Sequence, residues 1–173
     1  MRLSGIVEES CVDGPGIRFV VFAQGCRHRC PACHNPQTHP FEGGFPTDGE
    51  EIMRRMAANP LLDGITLSGG DPFEQADAFA ALAEKARERG YDVVTYTGWR
   101  YEEILLRGEQ GWRRLLESTD ILVDGRFELT LESDLLPFRG SSNQRLIDVP
   151  RSLESGRLYQ IYTNQTRERK ARS

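Results

Sequence analysis

Short apolar runs alternate along this chain with amphipathic stretches of helical period. Residues 17–23 (IRFVVFA), 64–68 (GITLS), 92–97 (DVVTYT) and 120–123 (DILV) carry the β-branched and aromatic signature of buried strands. Between them, Thr47 or Asp48 is placed to cap a helix reaching about Ala58, and residues 75–89 repeat apolar side chains at helical spacing until Gly90. Residues 101–116 share that period, with Gly108 and Gly111 interrupting it. Beyond Gly125 the pattern weakens. A long loop is expected over 127–143, a last strand over 157–162, and a charged, disordered tail over 163–173, which leaves 1–162 as a single domain.

Strand–helix alternation with short connections predicts a parallel sheet with crossover helices, and crossover rules bring the carboxyl ends of those strands to one edge. The loop after residue 23, Gly69-Gly70-Asp71-Pro72, Thr97-Gly98 and Asp124-Gly125 all fall on that edge, where parallel α/β folds bind their ligands.

The chemistry sits in the first of these loops, which reads GCRHRCPACHN and holds Cys26, Cys30 and Cys33. Three thiols in so short a segment suit a shared metal centre better than pairwise bonding, and thiolates at such spacings commonly hold iron–sulfur clusters. A [4Fe–4S] cluster on three cysteines keeps one iron open to a non-protein ligand. The alternative is a Cys₃His zinc site completed by His28 or His34, which would make the chain a zinc-stabilised binding module. Cys11, upstream, reads first as a small buried residue, its other uses being a fourth ligand or a reactive thiol.

Charge narrows the partners. The 173 residues carry a net charge of −4, which gives no reason to expect nucleic acid or an anionic membrane as partner. Neither a basic-then-apolar leader nor a bilayer-length apolar run is visible, so the cytoplasm is the expected compartment. Thiols stay reduced there, and clustered cysteines favour metal chemistry over disulfides.

With the cysteine loop after one strand and Gly69-Gly70-Asp71-Pro72 after the next, the chain resembles the radical S-adenosylmethionine enzymes. Val12-Asp13-Gly14-Pro15-Gly16-Ile17-Arg18 is similar to the entry segment of the glycyl-radical-enzyme activases. Ser68 to Pro72, Tyr96-Thr97-Gly98, Leu122 to Gly125 and above all Arg139-Gly140-Ser141-Ser142-Asn143-Gln144-Arg145 are similar to the branch acting on anaerobic ribonucleotide reductase. The resemblance covers residues 5–150.

What it implies is a partial, open β/α barrel of parallel strands and a radical S-adenosylmethionine oxidoreductase. Its cofactors would be a [4Fe–4S] cluster on Cys26, Cys30 and Cys33 and S-adenosylmethionine on the open iron. The family pattern places Gly69 and Gly70 at the methionyl amino group, with Asp71 helping through charge or turn geometry. His34 and Asn35 would meet the nucleoside, Thr97 would hydrogen-bond the cofactor, and Ala32 would offer its backbone to the adenine. Two departures stand out: Ala32 replaces an aromatic residue common in the family, and Asp71 replaces the usual Glu. Asp13 and Gly14 would line the mouth where a partner backbone enters. Arg139, Asn143 and Arg145 would contact the cofactor carboxylate or the partner. No general acid or base is required beyond the cluster and its cofactor. One electron from a donor such as reduced flavodoxin or ferredoxin cleaves S-adenosylmethionine, and the 5′-deoxyadenosyl radical takes a hydrogen from a glycine Cα. The implied partner is the large subunit of anaerobic ribonucleotide reductase; a pyruvate formate-lyase-like enzyme, a peptide and a small molecule stay open. Trp99 and Trp112 read as packing residues.

Overall fold

The structure, a computed structural model, describes residues 1–162; the tail expected over 163–173 lies outside the described residues. Its strands are β1 (Arg2–Ser10), β2 (Arg18–Ala23), β3 (Phe45–Pro46), β4 (Gly64–Gly69), β5 (Asp92–Thr97), β6 (Ile121–Asp124) and β7 (Arg145–Asp148). Its helices are α1 (Gly49–Ala57), α2 (Ala76–Glu88), α3 (Tyr101–Arg107), α4 (Gln110–Glu117) and α5 (Val149–Ser155). One seven-stranded sheet runs β3-β1-β2-β4-β5-β6-β7 and does not close on itself. β2, β4, β5 and β6 are parallel neighbours, as the alternation predicts. β1, β3 and β7 are antiparallel additions at the two edges, so the fold is mixed α/β with an open sheet.

Local chemistry accounts for the elements. Asp48 caps α1 by accepting the Glu51 amide at 2.8 Å, and Arg54 and Arg55 occupy its last turn, where a cation favours the helix dipole. Gly108 and Glu109 divide residues 101–116 into α3 and α4. Phe19, Val21, Ile65, Leu67, Val93 and Leu122 pack under the helices, against Met53, Phe79, Ile104, Leu115 and their neighbours. Burying each of these side chains contributes roughly 1.5–3 kcal/mol. Alternate positions face the other way, where Val94, Ile121, Val123, Leu146 and Ile161 form a second, smaller cluster without helix residues. All five helices therefore cover one face, and the opposite face belongs to loops.

Two edge expectations are corrected. Residues 157–162 do not form a strand. They run beside β7, with one bridge from Gln160 to Ile147 and a bond from the Ile161 amide to the Leu146 carbonyl at 2.7 Å. The terminal pairing is made instead by β7, which falls directly after the expected loop. β1, α5 and β3 have no counterpart in the expected elements.

On the loop-covered face Arg18 is fully buried at the start of β2. It donates to the Ile65 carbonyl at 2.6 Å, the Asp92 carbonyl at 3.0 Å and Thr66 Oγ1 at 3.2 Å, and pairs with the Asp92 carboxylate. The Thr66 hydroxyl in turn donates to the Asp13 carbonyl at 2.8 Å, so the 12–16 segment is laid across the sheet by this network. Arg18→Ala is expected to lower unfolding free energy by about 3 kcal/mol through an unfilled cavity and stranded carbonyls. Asp92→Asn is expected to cost about 1–3 kcal/mol, less than Arg18→Ala, because the buried guanidinium loses its counter-charge but keeps its carbonyl acceptors. Urea titrations of the two variants check both values.

Candidate metal and cofactor site

The loops leaving the carboxyl ends of β2, β4, β5 and β6 surround one cavity of about 770 Å³. That lies within the roughly 300–1,000 Å³ of small-molecule sites. Cys26, Cys30 and Cys33 wall it together with Gly69, Gly70 and Thr97. Gly125 from the end of β6, His34, Asn35, Asp13 and Arg139 complete the part of the wall foreseen from the sequence. The predicted convergence of four loops on one edge is present.

Backbone contacts hold the cysteine loop at its entrance. The Gly25 amide donates to the Thr38 carbonyl at 2.8 Å and the Cys26 amide to the His39 carbonyl at 3.1 Å. From the other side, the Gly70 amide reaches the Ala23 carbonyl at 2.8 Å and the Asp71 amide the Gly25 carbonyl at 2.9 Å. This approach explains Gly70, since a Cβ there would stand 2.3 Å from the Gly25 oxygen.

Asp71 is fully buried behind the cavity wall. Its carboxylate accepts from the Phe73 amide at 3.0 Å, the Thr97 hydroxyl at 2.9 and 3.0 Å and the Gly98 amide at 3.1 Å, and lies 3.1 Å from His28 Nε2. Of the two uses expected for Asp71, turn geometry matches its placement. Thr97 borders the cavity, but its hydroxyl proton is committed to Asp71.

All four cysteines are free thiols. Burial pushes the Cys26 thiol up to about 11, with the Asp71 charge adding to it and the amides of His28 and Arg29 opposing it. Burial also raises Cys30, against a hydrogen bond from the Phe127 amide. These sulfurs give up their protons to a metal rather than to water. Among the described residues no three His, Cys, Asp or Glu side chains converge on a single-ion position. His28 Nε2 is held by Asp71 and His34 Nε2 by Glu132, each at 3.1 Å, while His28 Nδ1 is buried without a hydrogen-bond partner. Three sulfur donors around a cavity of this size fit an iron–sulfur cluster with room for a further ligand.

Other expected residues are placed differently. Ala32 is exposed, with φ of +56°, and is not part of the wall. Gly14 is buried beneath Asp13 against Val94 and Thr66. Arg139 donates to the Gln144 carbonyl at 3.2 Å, while its Nε is buried without a partner. Asn143 spends its amide on the Arg126 carbonyl at 2.8 Å, away from the wall. Arg145 faces the helices, bound to Asp124 and to Glu102 at 2.8 Å, so it does not contact the cavity. Cys11 is exposed on the rim and not buried, because the bends at 11–17 swing it away from the core. Trp99 and Trp112 pack as expected, 5.3 Å apart between ring centroids.

Several wall residues escaped the sequence reading, among them Tyr96, Arg126, Phe127 and the segment 133–138. Arg126 follows the strand-ending Asp124-Gly125 turn, a position at which a basic side chain was a readable signal. Phe127 packs tilted against His34 with ring centroids 4.7 Å apart, and Tyr96 donates to the Phe138 carbonyl at 2.9 Å; nothing in local sequence announces either contact.

Comparison with known proteins gives a consistent picture. A family model described as a 4Fe-4S single cluster domain matches residues 12–147. The anaerobic ribonucleoside-triphosphate reductase-activating protein of Escherichia coli K12 is 34% identical over 143 residues, covering 77% of this chain and 89% of that protein. Its counterpart from Enterobacteria phage T4 is 33% identical over 141 residues, 78% of this chain and 86% of that protein. A pyruvate formate-lyase-activating enzyme from Clostridium pasteurianum is 38% identical over 113 residues, 60% of this chain and 48% of that enzyme.

The burial order sets a reactivity order. In reduced, metal-free protein, iodoacetamide is expected to modify exposed Cys11 first and Cys26 last. The Cys26 rate should still climb roughly tenfold per pH unit between pH 8 and 10, as its thiolate fraction grows. Peptide mass spectrometry at timed quench points measures both.

Proposed function

The chain belongs to the 4Fe-4S single cluster domain family and to the anaerobic ribonucleoside-triphosphate reductase-activating proteins, and we propose that it installs the glycyl radical of such a reductase. The observation that carries this reading is the gathering of three free thiols, the Gly69-Gly70 turn and the Thr97-Gly98 turn around one cavity. Cys26, Cys30 and Cys33 would ligate three irons of a [4Fe–4S] cluster, and the remaining iron would take S-adenosylmethionine. Bound there, the two cofactors supply a one-electron reductive cleavage to methionine and a 5′-deoxyadenosyl radical that abstracts hydrogen from a glycine Cα of the reductase.

The chain's own part is placement and shielding. Gly69 and Gly70 let the end of β4 close on the backbone of residues 22–25, which sets the Gly-Gly turn beside the cysteine loop on the wall where the methionyl group would lie. His34 and Asn35 border the nucleoside end, and Arg139 and Asp13 stand where the cofactor carboxylate or the partner backbone enters. Arg145 supports the wall from behind through Asp124. We read the sheet as the partial β/α barrel of radical S-adenosylmethionine enzymes. Four parallel strands, helices confined to one face and a site at the strand carboxyl ends support that reading. A cytoplasmic setting suits four free thiols, with reduced flavodoxin or ferredoxin as donor.

Reconstituted anaerobically and reduced, the protein is expected to convert S-adenosylmethionine to methionine and 5′-deoxyadenosine. With a reductase carrying dideuterated glycine, deuterium should enter the 5′-deoxyadenosine; it should be absent with a reductase whose target glycine is Ala. Deuterium transfer from the Ala variant, or colourless protein holding one zinc, would remove this function. Cys30→Ala is expected to abolish both cluster uptake and cleavage, measured as iron content and product yield.

A further inference from the structure

The turn between the first two cysteines is exposed at Arg27 and Arg29, yet the His28 side chain between them is only 2% exposed. Three contacts fix that ring. Its Nε2 lies 3.1 Å from Asp71 Oδ2, and its plane meets Trp99 edge-on with centroids 4.7 Å apart. It also rests on Gly98, where a Cβ would come 2.4 Å from the imidazole Cδ2. Asp71 and Gly98 belong to the loops after β4 and β5, so His28 ties the cysteine loop to both neighbours at once.

Apart from the His28 and Arg29 amides, which point to the Cys26 sulfur, the turn is held by side chains. Among the described residues, no backbone–backbone hydrogen bond is made by Arg27, His28 or Arg29. Arg29 and Ala32 adopt φ of +47° and +56°, a region disfavoured for residues with a Cβ and maintained only where surroundings enforce it. Arg27 clamps the turn from outside, its guanidinium half exposed and donating two 2.6 Å bonds to the buried Glu74 carboxylate. The imidazole is the anchor from inside, between the two neighbouring loops.

We infer that His28 is a positioning residue for the cluster, holding the Cys26–Cys30 turn in its ligating conformation through Asp71, Trp99 and Gly98. Its ring also borders the cavity, but the role assigned here runs through those three contacts. The Asp71 carboxylate stands behind the cavity wall, and the imidazole is the side chain of the cysteine loop that reaches it. The inference rests on the cluster reading of the three cysteines.

The test compares iron retention by the reconstituted full chain and its variants against a ferrous chelator such as bathophenanthroline. Wild-type protein should load about four irons per chain and release them slowly. His28→Ala and His28→Asn should release iron about 10–100-fold faster, the loss typical of removing a group that orients a ligand. His28→Gln should stay close to the wild-type rate, because its Nε2 reaches the place of the imidazole Nε2 and can donate to Asp71. Combining His28→Ala with Asp71→Asn should add nothing beyond the larger single effect. Thermal unfolding of the metal-free variants checks that each is folded, and His28→Asn leaves the smaller gap if His28→Ala is not. Wild-type release rates in His28→Ala, equal loss in His28→Gln and His28→Ala, or additive effects in the double variant would each overturn the positioning role. Wild-type protein that takes up no iron at all would instead overturn the cluster reading.

Discussion

Asp71 is the point on which the site depends. A carboxylate with no exposure to water must have its oxygens satisfied from within, and here the donors come from three separate loops. Phe73 lies in its own turn, Thr97 ends β5 and Gly98 follows it, and His28 belongs to the cysteine loop after β2. Because each donor is needed, each loop is drawn to a common centre, and the cavity is the space left above it. An Asp, one methylene shorter than the Glu usual in the wider superfamily, is short enough to be withdrawn behind the wall and serve the turns.

The sheet supplies the frame for that centre. Helices on one face bury a continuous apolar layer, while the other face carries Arg18, Thr66, Val94 and Tyr96 under loops. Parallel strands deliver their carboxyl ends to one edge, and the antiparallel β1 and β7 bound them without adding loops at that edge from the wrong direction. The Arg18 network anchors residues 12–16 near the opposite ends of the same strands, which puts Asp13 beside the cavity from below.

Much of this was legible. β4, β5 and β6 are short apolar runs whose two sides are both covered, so their composition announces them. β1 was not, because register shifts between Leu3 and Gly5 and between Val7 and Ser10 break the two-residue period that would reveal it. β7 offers only Leu146 and Ile147 before Asp148 caps α5, so its four residues looked like the end of a loop. Residues 157–162 have strand-like composition, but they meet β7 at a single bridge, between Gln160 and Ile147. Of the site, the cysteines and the Gly-Gly turn were readable from spacing. The burial of His28 and the capture of Arg145 by Asp124 were not, since both follow from contacts between residues 43 and 21 positions apart.

Contacts of that range also bear on the order of assembly. The apolar layer under the helices contains none of the four cysteines, so the scaffold has its own reasons to fold before any metal arrives. In small zinc modules the ion is the organising force of the chain. Here the Asp71 centre needs the ends of β2, β4 and β5 side by side, so the paired strands themselves bring the thiols together. The apolar layer and the thiol loop are separate parts of the chain, one holding the framework and the other offering it to a cofactor.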